Sequence, residues 1–127
     1  MRLMGIDFGK KRVGVALSDE TERFAYPYSV LKNSEKLVHD VIKICEKERV
    51  SKVILGRSLD FKMQPNEIMK DIEEFKNGLE VASGLPIEYE DEFMSTAEAE
   101  RLQGAGDKID SSAAALILKS YIDKKLQ

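Results

Sequence analysis

The order in which apolar segments follow one another constrains the fold of this chain more than any other feature of its sequence. Short apolar segments predict strands, and longer segments with apolar residues at helical spacing predict helices. The predicted strands cover residues 2–8, 13–18, 25–31, 51–56 and 87–91, and the predicted helices cover residues 35–49, 65–82, 95–102 and 111–126. Three strands therefore precede an alternation of helices and strands.

This order predicts the fold class and the domain organisation. The turn at residues 9–12 joins the first two strands into an antiparallel hairpin, whereas strands separated by a helix pair in parallel. The third strand contains Pro27, which favours an edge position because proline has no backbone N–H to donate. We therefore expect a single α/β domain over residues 1–127, with a mixed five-stranded sheet, the order βββαβαβαα and helices on both faces.

Each predicted helix begins at a residue type that favours helix amino termini. In chain order these residues are Asn33 or Ser34, Pro65, Ser95 with Glu98, and Asp110. Residues 103–108 contain two glycines and are expected to form a loop before the last helix.

Composition excludes several classes of protein. No apolar run approaches the roughly 20 residues that a membrane-spanning helix needs, and the amino terminus lacks the pattern of an export signal. We therefore expect a cytoplasmic protein without a membrane partner. Cys45 is the only cysteine, which excludes an internal disulfide and predicts a buried thiol. His39 is the only histidine and lies off the apolar stripe of its helix, which argues against a histidine-based catalytic triad.

The net charge of −3 does not decide whether the partner is nucleic acid. Twenty basic residues stand against 23 acidic ones, so the chain lacks the basic excess of proteins that bind nucleic acid through phosphate contacts alone. A metal site itself requires clustered carboxylates, and bound cations invert the local potential. A phosphodiester substrate therefore remains compatible with this charge.

Asp7 follows an apolar run at the end of the first strand, which should be central in the sheet. An ionised carboxylate there is costly unless it is paired, hydrogen-bonded or bound to a metal. The alternative is an aspartate that caps the following turn. Other acidic residues are needed to decide between these interpretations.

Two further acidic sites are candidates. Asp91 and Glu92 end the last strand, where alternation places them on opposite faces, so only one can face Asp7 unless a bulge intervenes. The alternative is that both acidic residues are simply exposed to water where the strand ends. Asp110 is a suitable N-cap, but it also continues the sheet-facing stripe of Ala114, which favours a role beyond capping.

Acidic residues from three remote segments are typical of a two-metal phosphodiester hydrolase. Mg²⁺ or Mn²⁺ prefers oxygen ligands, and a pair of such ions activates water and stabilises the leaving oxygen. Lys10, Lys11 and Arg12 follow Asp7 in the turn and are candidates for binding backbone phosphates; the alternative is that they are isolated surface charges. The predicted activity is metal-assisted hydrolysis of nucleic acid.

Motifs along nearly the whole chain resemble the YqgF/RuvX family. They are Gly5-Ile6-Asp7-Phe8-Gly9, Arg12-Val13-Gly14-Val15-Ala16, Gly56 at a strand end, Asp91-Glu92 with Ser95-Thr96-Ala97-Glu98-Ala99, and Asp110-Ser111-Ser112-Ala113-Ala114-Ala115 with Ile117-Leu118. The resemblance implies an RNase H-like fold and a nuclease. Its expected role is 5′-end maturation of precursor 16S rRNA, or resolution of Holliday junctions in branched DNA.

The resemblance also implies particular residues and partners. Asp7, an acid of the Asp91 and Glu92 pair, and Asp110 would bind the metal. Ribosomal particles are a further expected partner, and the expected state is a monomer or a homodimer. The family's Gly-Leu-Pro is here Gly56-Arg57-Ser58, and its arginine after Asp-Glu is here Phe93. Arg57 is expected to replace that arginine as a phosphate contact, and substrate choice is open to differ from the family norm.

Two other classes remain as alternatives. The Gly-x-Asp-x-Gly pattern at the first hairpin also resembles the phosphate-binding start of actin-like ATPases and sugar kinases, but those enzymes need two lobes and this chain is short. A non-catalytic module that binds nucleic acid is the second alternative. Retention of the three acidic sites argues against it, because pure binding requires cations on the protein.

Overall fold

The computed structural model describes residues 1–58, 69–92 and 107–126, with the backbone alone described at residues 57–58, 69, 91–92 and 107–111. The elements in chain order are β1 (Arg2–Phe8), β2 (Arg12–Ser18), β3 (Ala25–Lys32), α1 (Leu37–Glu48), β4 (Val50–Ser58), α2 (Met69–Ser83), β5 (Ile87–Glu92) and α3 (Asp107–Lys125). The helix predicted at residues 95–102, its Ser95 and Glu98 capping box, and Pro65 lie outside the described residues.

The five strands form one mixed sheet in the order β3-β2-β1-β4-β5. β2 pairs antiparallel with β1 and with β3, and β4 pairs parallel with β1 and with β5. The predicted sheet is confirmed, with β1 at its centre. β3 lies at an edge, where the ladder to β2 is irregular and Pro27 faces Ala16, as expected for a residue without a donor.

Helices cover both faces of the sheet, as predicted. α1 and α2 pack on one face, and α3 packs on the other. Alternation along β1 sends Met4 and Ile6 towards α1 and α2, while Leu3 lies in the cluster under α3. The residues of α3 in that cluster are Ala114, Ile117, Leu118 and Ile122. Both faces of β1 are therefore buried, as in a central strand.

α3 approaches the sheet closely because two strand residues opposite it are glycines. A Cβ at Gly5 would lie 2.8 Å from the Ala114 carbonyl oxygen and 2.8 Å from the Leu118 Cβ. A Cβ at Gly56 would lie 2.3 Å from the Ile117 Cδ1. These glycines and the small Ala114 therefore bring the α3 backbone close to β1 and β4.

The helix starts differ from the predictions. Neither Asn33 nor Ser34 caps α1, whose N-cap residue is Lys36 without a side-chain capping bond. Ser34 instead accepts the Lys36 N–H through its hydroxyl at 3.2 Å and the Leu37 N–H through its carbonyl at 3.0 Å. These bonds form a turn, so α1 begins at Leu37 instead of at residue 35.

The last helix begins earlier than expected. α3 already includes Asp107 and the residue after it, so the predicted loop at 103–108 is wrong at these two positions. Asp110 therefore lies inside the helix and is not its N-cap. Asp107 suits the first turn of α3 because its negative charge complements the positive amino-terminal end of the helix dipole.

Other predictions from composition agree with the structure. Cys45 is buried and His39 is exposed on α1. Burial is the main cause that raises the pKa of the Cys45 thiol to about 11. None of the helices in the described part is long and apolar enough to cross a membrane.

Candidate active site

Asp7 lies one residue before the end of the central strand and is half-buried. It has the same parity along β1 as Leu3 and Gly5, which contact the α3 side of the sheet, so it faces that side as well. Its partner across the antiparallel ladder is Gly14, which has no side chain. The Asp7 carboxylate therefore lies near the end of the central strand, opposite a residue without a side chain.

The turn after Asp7 is held by a residue that sequence analysis interpreted differently. The Asn33 side chain donates from Nδ2 to the Gly9 carbonyl at 2.7 Å, and the Asn33 backbone N–H donates to the Lys11 carbonyl at 2.9 Å. A Cβ at Gly9 would lie 2.5 Å from the Arg12 carbonyl oxygen, so the turn requires glycine there. Asparagine commonly bonds to backbone groups in turns, and that signal was available in the sequence.

The predicted basic residues lie at the same end of the sheet as Asp7. Lys10, Lys11 and Arg12 are exposed in and directly after the turn. The backbone of Arg57 lies in β4, opposite Asp91 of β5. The first three residues therefore present positive charge to solvent beside the end of β1.

The backbone of the acidic pair lies at the end of β5, two strands away from β1. Ser58 is the β4 partner of Glu92. Glu88 and Glu90 have the same strand parity as Glu92, and both contact residues on the α3 side of the sheet. Asp91 has the parity of Tyr89, whose ring lies 5.6 Å from the Lys76 ammonium of α2. The prediction that the two acids face opposite sides of the sheet concerns side chains outside those that the structure describes, and it stays a prediction.

Asp110 lies on the helix that packs against Asp7's strand. It precedes Ala114 by one helical turn, and the Ala114 carbonyl lies over Gly5, two residues before Asp7. The segments that carry Asp7 and Asp110 are thus in direct contact. Among the side chains that the structure describes, no group of three His, Cys, Asp or Glu residues could hold a metal ion.

Two polar contacts anchor the carboxyl-terminal half of α3 at the β5 edge, and sequence analysis missed both. Glu90 is buried, forms an ion pair with Lys124 and accepts a bond from the Ser120 hydroxyl at 3.3 Å. Lys52 donates to the Tyr121 hydroxyl and to Glu88, each at 3.0 Å. The Tyr121 bond is the main cause that raises the pKa of Lys52, and the Lys52 bond lowers the pKa of Glu88.

Comparison with known proteins decides the family. A sequence profile described as "RuvX: Holliday junction resolvase" matches residues 1–124. The chain belongs to the RuvX family. This RuvX-family chain is 33% identical over 132 residues to a protein named "Putative pre-16S rRNA nuclease" from Maridesulfovibrio salexigens, covering 96% of this chain and 98% of the relative. A relative of the same name from Desulforudis audaxviator is 35% identical over 135 residues, covering 98% and 96%.

Solved structures share the fold of this RuvX-family chain. RuvC from T. thermophilus, in complex with a Holliday junction substrate, aligns with a TM-score of 0.66 at 15% identity, over 99% of this chain and 96% of that one. The Holliday junction resolvase of fowlpox virus aligns with a TM-score of 0.57 at 17% identity, over 98% and 99%. The RNase H-like fold implied by the sequence motifs is therefore confirmed.

Proposed function

We propose that this chain is a divalent-metal-dependent nuclease that hydrolyses phosphodiester bonds of nucleic acid, in 5′-end processing of precursor 16S rRNA. The single observation that carries the proposal is the position of Asp7, a half-buried carboxylate at the tip of the central strand. Membership of the RuvX family and the names of the relatives support the nuclease activity and the RNA substrate.

The candidate ligands fit a hard divalent cation. Asp7, Glu92 and Asp110 offer oxygen donors, which Mg²⁺ and Mn²⁺ prefer. We favour Glu92 over Asp91 because Glu92 shares its strand parity with Glu88 and Glu90, on the side of the sheet that Asp7 faces. When bound at this site, the cations would supply activation of water and charge stabilisation at the reacting phosphate.

The protein's own contribution is positioning. The rigid central strand fixes the Asp7 carboxylate, and the turn fastened by Asn33 holds Lys10, Lys11 and Arg12 beside it. These cations would bind phosphates on either side of the scissile bond and orient the substrate. Arg57 is proposed to add a further phosphate contact in place of the family's arginine, from a strand position that shares its parity with Asp91 rather than with Asp7.

The alternative function is resolution of Holliday junctions. The description of the RuvX family and the shared RuvC fold favour it, and it would require a homodimer because two strands of a junction are cut. Incubation of the protein with a precursor 16S rRNA fragment and with a four-way DNA junction, each with Mg²⁺, Mn²⁺ or chelator, separates the two. Cleavage of the RNA alone supports rRNA processing, and paired cuts in the junction support resolution.

Asp7→Asn tests the proposal because it keeps the shape of the side chain while removing its charge. We expect the cleavage rate to fall by at least about a hundredfold, or about 2.7 kcal/mol of transition-state stabilisation, with an unchanged circular dichroism spectrum. Asp123→Asn, at an exposed aspartate of α3, is the matched control and should cleave like the parent.

The outcomes separate the candidate functions. Equal cleavage by the parent and by Asp7→Asn refutes the assignment of Asp7. Binding of nucleic acid by the parent without cleavage under every metal condition would instead indicate a non-catalytic binding module. Ribosomal particles, as a partner, are tested by cosedimentation of the parent with ribosomal subunits.

A further inference from the structure

We propose that Lys32, at the end of the edge strand, extends the nucleic-acid surface beyond the turn at residues 9–12 by binding a backbone phosphate within a few nucleotides of the scissile bond. The expected ligand chemistry is the sugar-phosphate backbone of a polynucleotide. The inference rests on the proposed function for the location of the scissile phosphate at Asp7.

The register of the sheet brings Lys32 to the same end and the same face as Asp7. Asp7 pairs with Gly14, and Arg12 lies two residues before Gly14 on β2, so both positions face the same side. Lys32 is the β3 partner of Arg12 and therefore shares this face. Leu31, of opposite parity, packs with the cluster on the α1 and α2 side, as this assignment requires.

Arg12 and Lys32 place two positively charged residues directly opposite each other on β2 and β3. Like charges directly opposite each other on an antiparallel pair repel, and both residues are exposed. Within the described part of the chain, no carboxylate forms an ion pair with Lys32. Glu35, the nearest acidic residue along the chain, is exposed and lies beyond the end of β3. A phosphate bound beside Lys32 would supply it with a negatively charged partner.

The end of β3 is fixed relative to the active-site turn. Asn33, directly after Lys32, bonds to the carbonyls of Gly9 and Lys11. The backbone of Lys32 is therefore held at a defined distance from Asp7, and its position does not depend on a loop. A cation on a fixed backbone binds a ligand with less loss of conformational entropy than one on a mobile loop.

The distance predicts which phosphate Lys32 contacts. Two strand spacings of about 4.8 Å and two residues of strand rise separate Asp7 from Lys32, or about 12 Å between their Cα atoms. A helical polynucleotide rises about 3.4 Å per nucleotide along its axis, and its backbone, which winds around that axis, covers a longer distance between successive phosphates. Lys32 would therefore contact a phosphate within a few nucleotides of the scissile one.

The test measures binding separately from cleavage. In the Asp7→Asn background and with chelator, binding of a fluorescent single-stranded RNA and of a four-way DNA junction is measured by anisotropy across a range of NaCl concentrations. Lys32→Gln should weaken RNA binding about two- to fivefold, the equivalent of an exposed ion pair, and lower the slope of log affinity against log salt by about 0.7. Lys43→Gln, at an exposed lysine of α1 on the other face of the sheet, should change neither.

The outcomes keep this inference distinct from the proposed nuclease. A salt slope for Lys32→Gln that equals that of Lys43→Gln, for both probes, overturns the inference even if Asp7-dependent cleavage is observed. A lower slope for Lys32→Gln supports it even if the parent protein cleaves nothing. The probe that gives the larger change in slope identifies whether RNA or branched DNA follows this surface.

Discussion

Gly5 should tolerate a methyl group much less well than Gly56, although both lie under α3. The added Cβ at Gly5 would meet the Ala114 carbonyl oxygen and the Leu118 Cβ at 2.8 Å each, whereas ordinary contact begins at 3.4 Å. Both atoms are fixed by the helix backbone, so α3 itself must move away from β1. Overpacking of this kind costs about 1–3 kcal/mol, and the entropy that alanine saves in the unfolded chain offsets about 0.5–1 kcal/mol. Gly5→Ala should therefore lower the free energy of unfolding by about 1–2 kcal/mol.

Gly56→Ala meets a different obstacle. Its Cβ would lie 2.3 Å from the Ile117 Cδ1, but this atom is the end of a flexible side chain that can rotate away. We expect a cost below about 1 kcal/mol, and Ile117→Val, which removes that methyl group, should reduce the remaining clash. Gly78→Ala is the control with the opposite sign, because its Cβ meets only the Val38 Cγ2 at 3.8 Å inside α2. Alanine there should stabilise the protein by about 1 kcal/mol.

Urea unfolding followed by circular dichroism measures all three variants on one scale. The expected order of stability is Gly78→Ala, parent, Gly56→Ala and Gly5→Ala. Because Ala114 lies one turn from Asp110 on α3, Gly5→Ala should also slow cleavage more than Gly56→Ala does. A Gly5→Ala protein as stable as the parent would refute the close approach of α3 to β1.

Two further predictions concern buried polar groups. Lys124→Ala should lower the free energy of unfolding by about 1–2 kcal/mol because it leaves the Glu90 carboxylate buried without its cation. Glu90→Gln should lower it by less than about 1 kcal/mol because Lys124 is 65% exposed and regains water. Denaturant titrations that rank the two variants the other way contradict this reasoning. The Cys45 thiol has its pKa raised from 9.0 to about 11 in the folded protein, so the folded state keeps a proton that the unfolded chain loses. The stability this provides is present below pH 9.0 and is lost as the pH rises towards about 11. Unfolding of the parent and of Cys45→Ala across that range should show a larger loss in the parent, because Tyr28 and Lys52, whose pKa values are also raised, lose stability in both proteins.

Sequence patterns predicted the sheet because each strand carries its own local signal. The apolar run ending in Asp7, the turn at residues 9–12 and Pro27 each depend on neighbours along the chain, and all three predictions agree with the structure. The predicted starts of α1 and α3 failed because several polar residues could serve as caps. Asn33 has the same preference for an N-cap as for a turn bond. Only the packing of β3 beside the turn selects the second role.

The Glu90 contact could not be predicted for a different reason. Glu88 and Glu90 alternate with Ile87 and Tyr89 along β5, a pattern typical of a strand face exposed to water. In the structure, the carboxyl-terminal half of α3 brings Tyr121 and Lys124 over this face and buries Glu90. The partners are about thirty residues away in sequence, and no periodicity within β5 indicates them.

These same contacts bear on which acid of the pair at the end of β5 is proposed to bind metal together with Asp7. A slip of one residue in the pairing of β5 would exchange the faces of Asp91 and Glu92. That slip would also remove Glu88 from Lys52, which donates to it at 3.0 Å, and would leave the Lys124 ammonium without the Glu90 carboxylate. The observed register of β5 therefore satisfies these ion pairs as well as the packing of Ile87 and Tyr89 against the core on the other face. Because they hold Glu88 and Glu90 on the side of the sheet that Asp7 faces, they support Glu92 as the second acidic ligand.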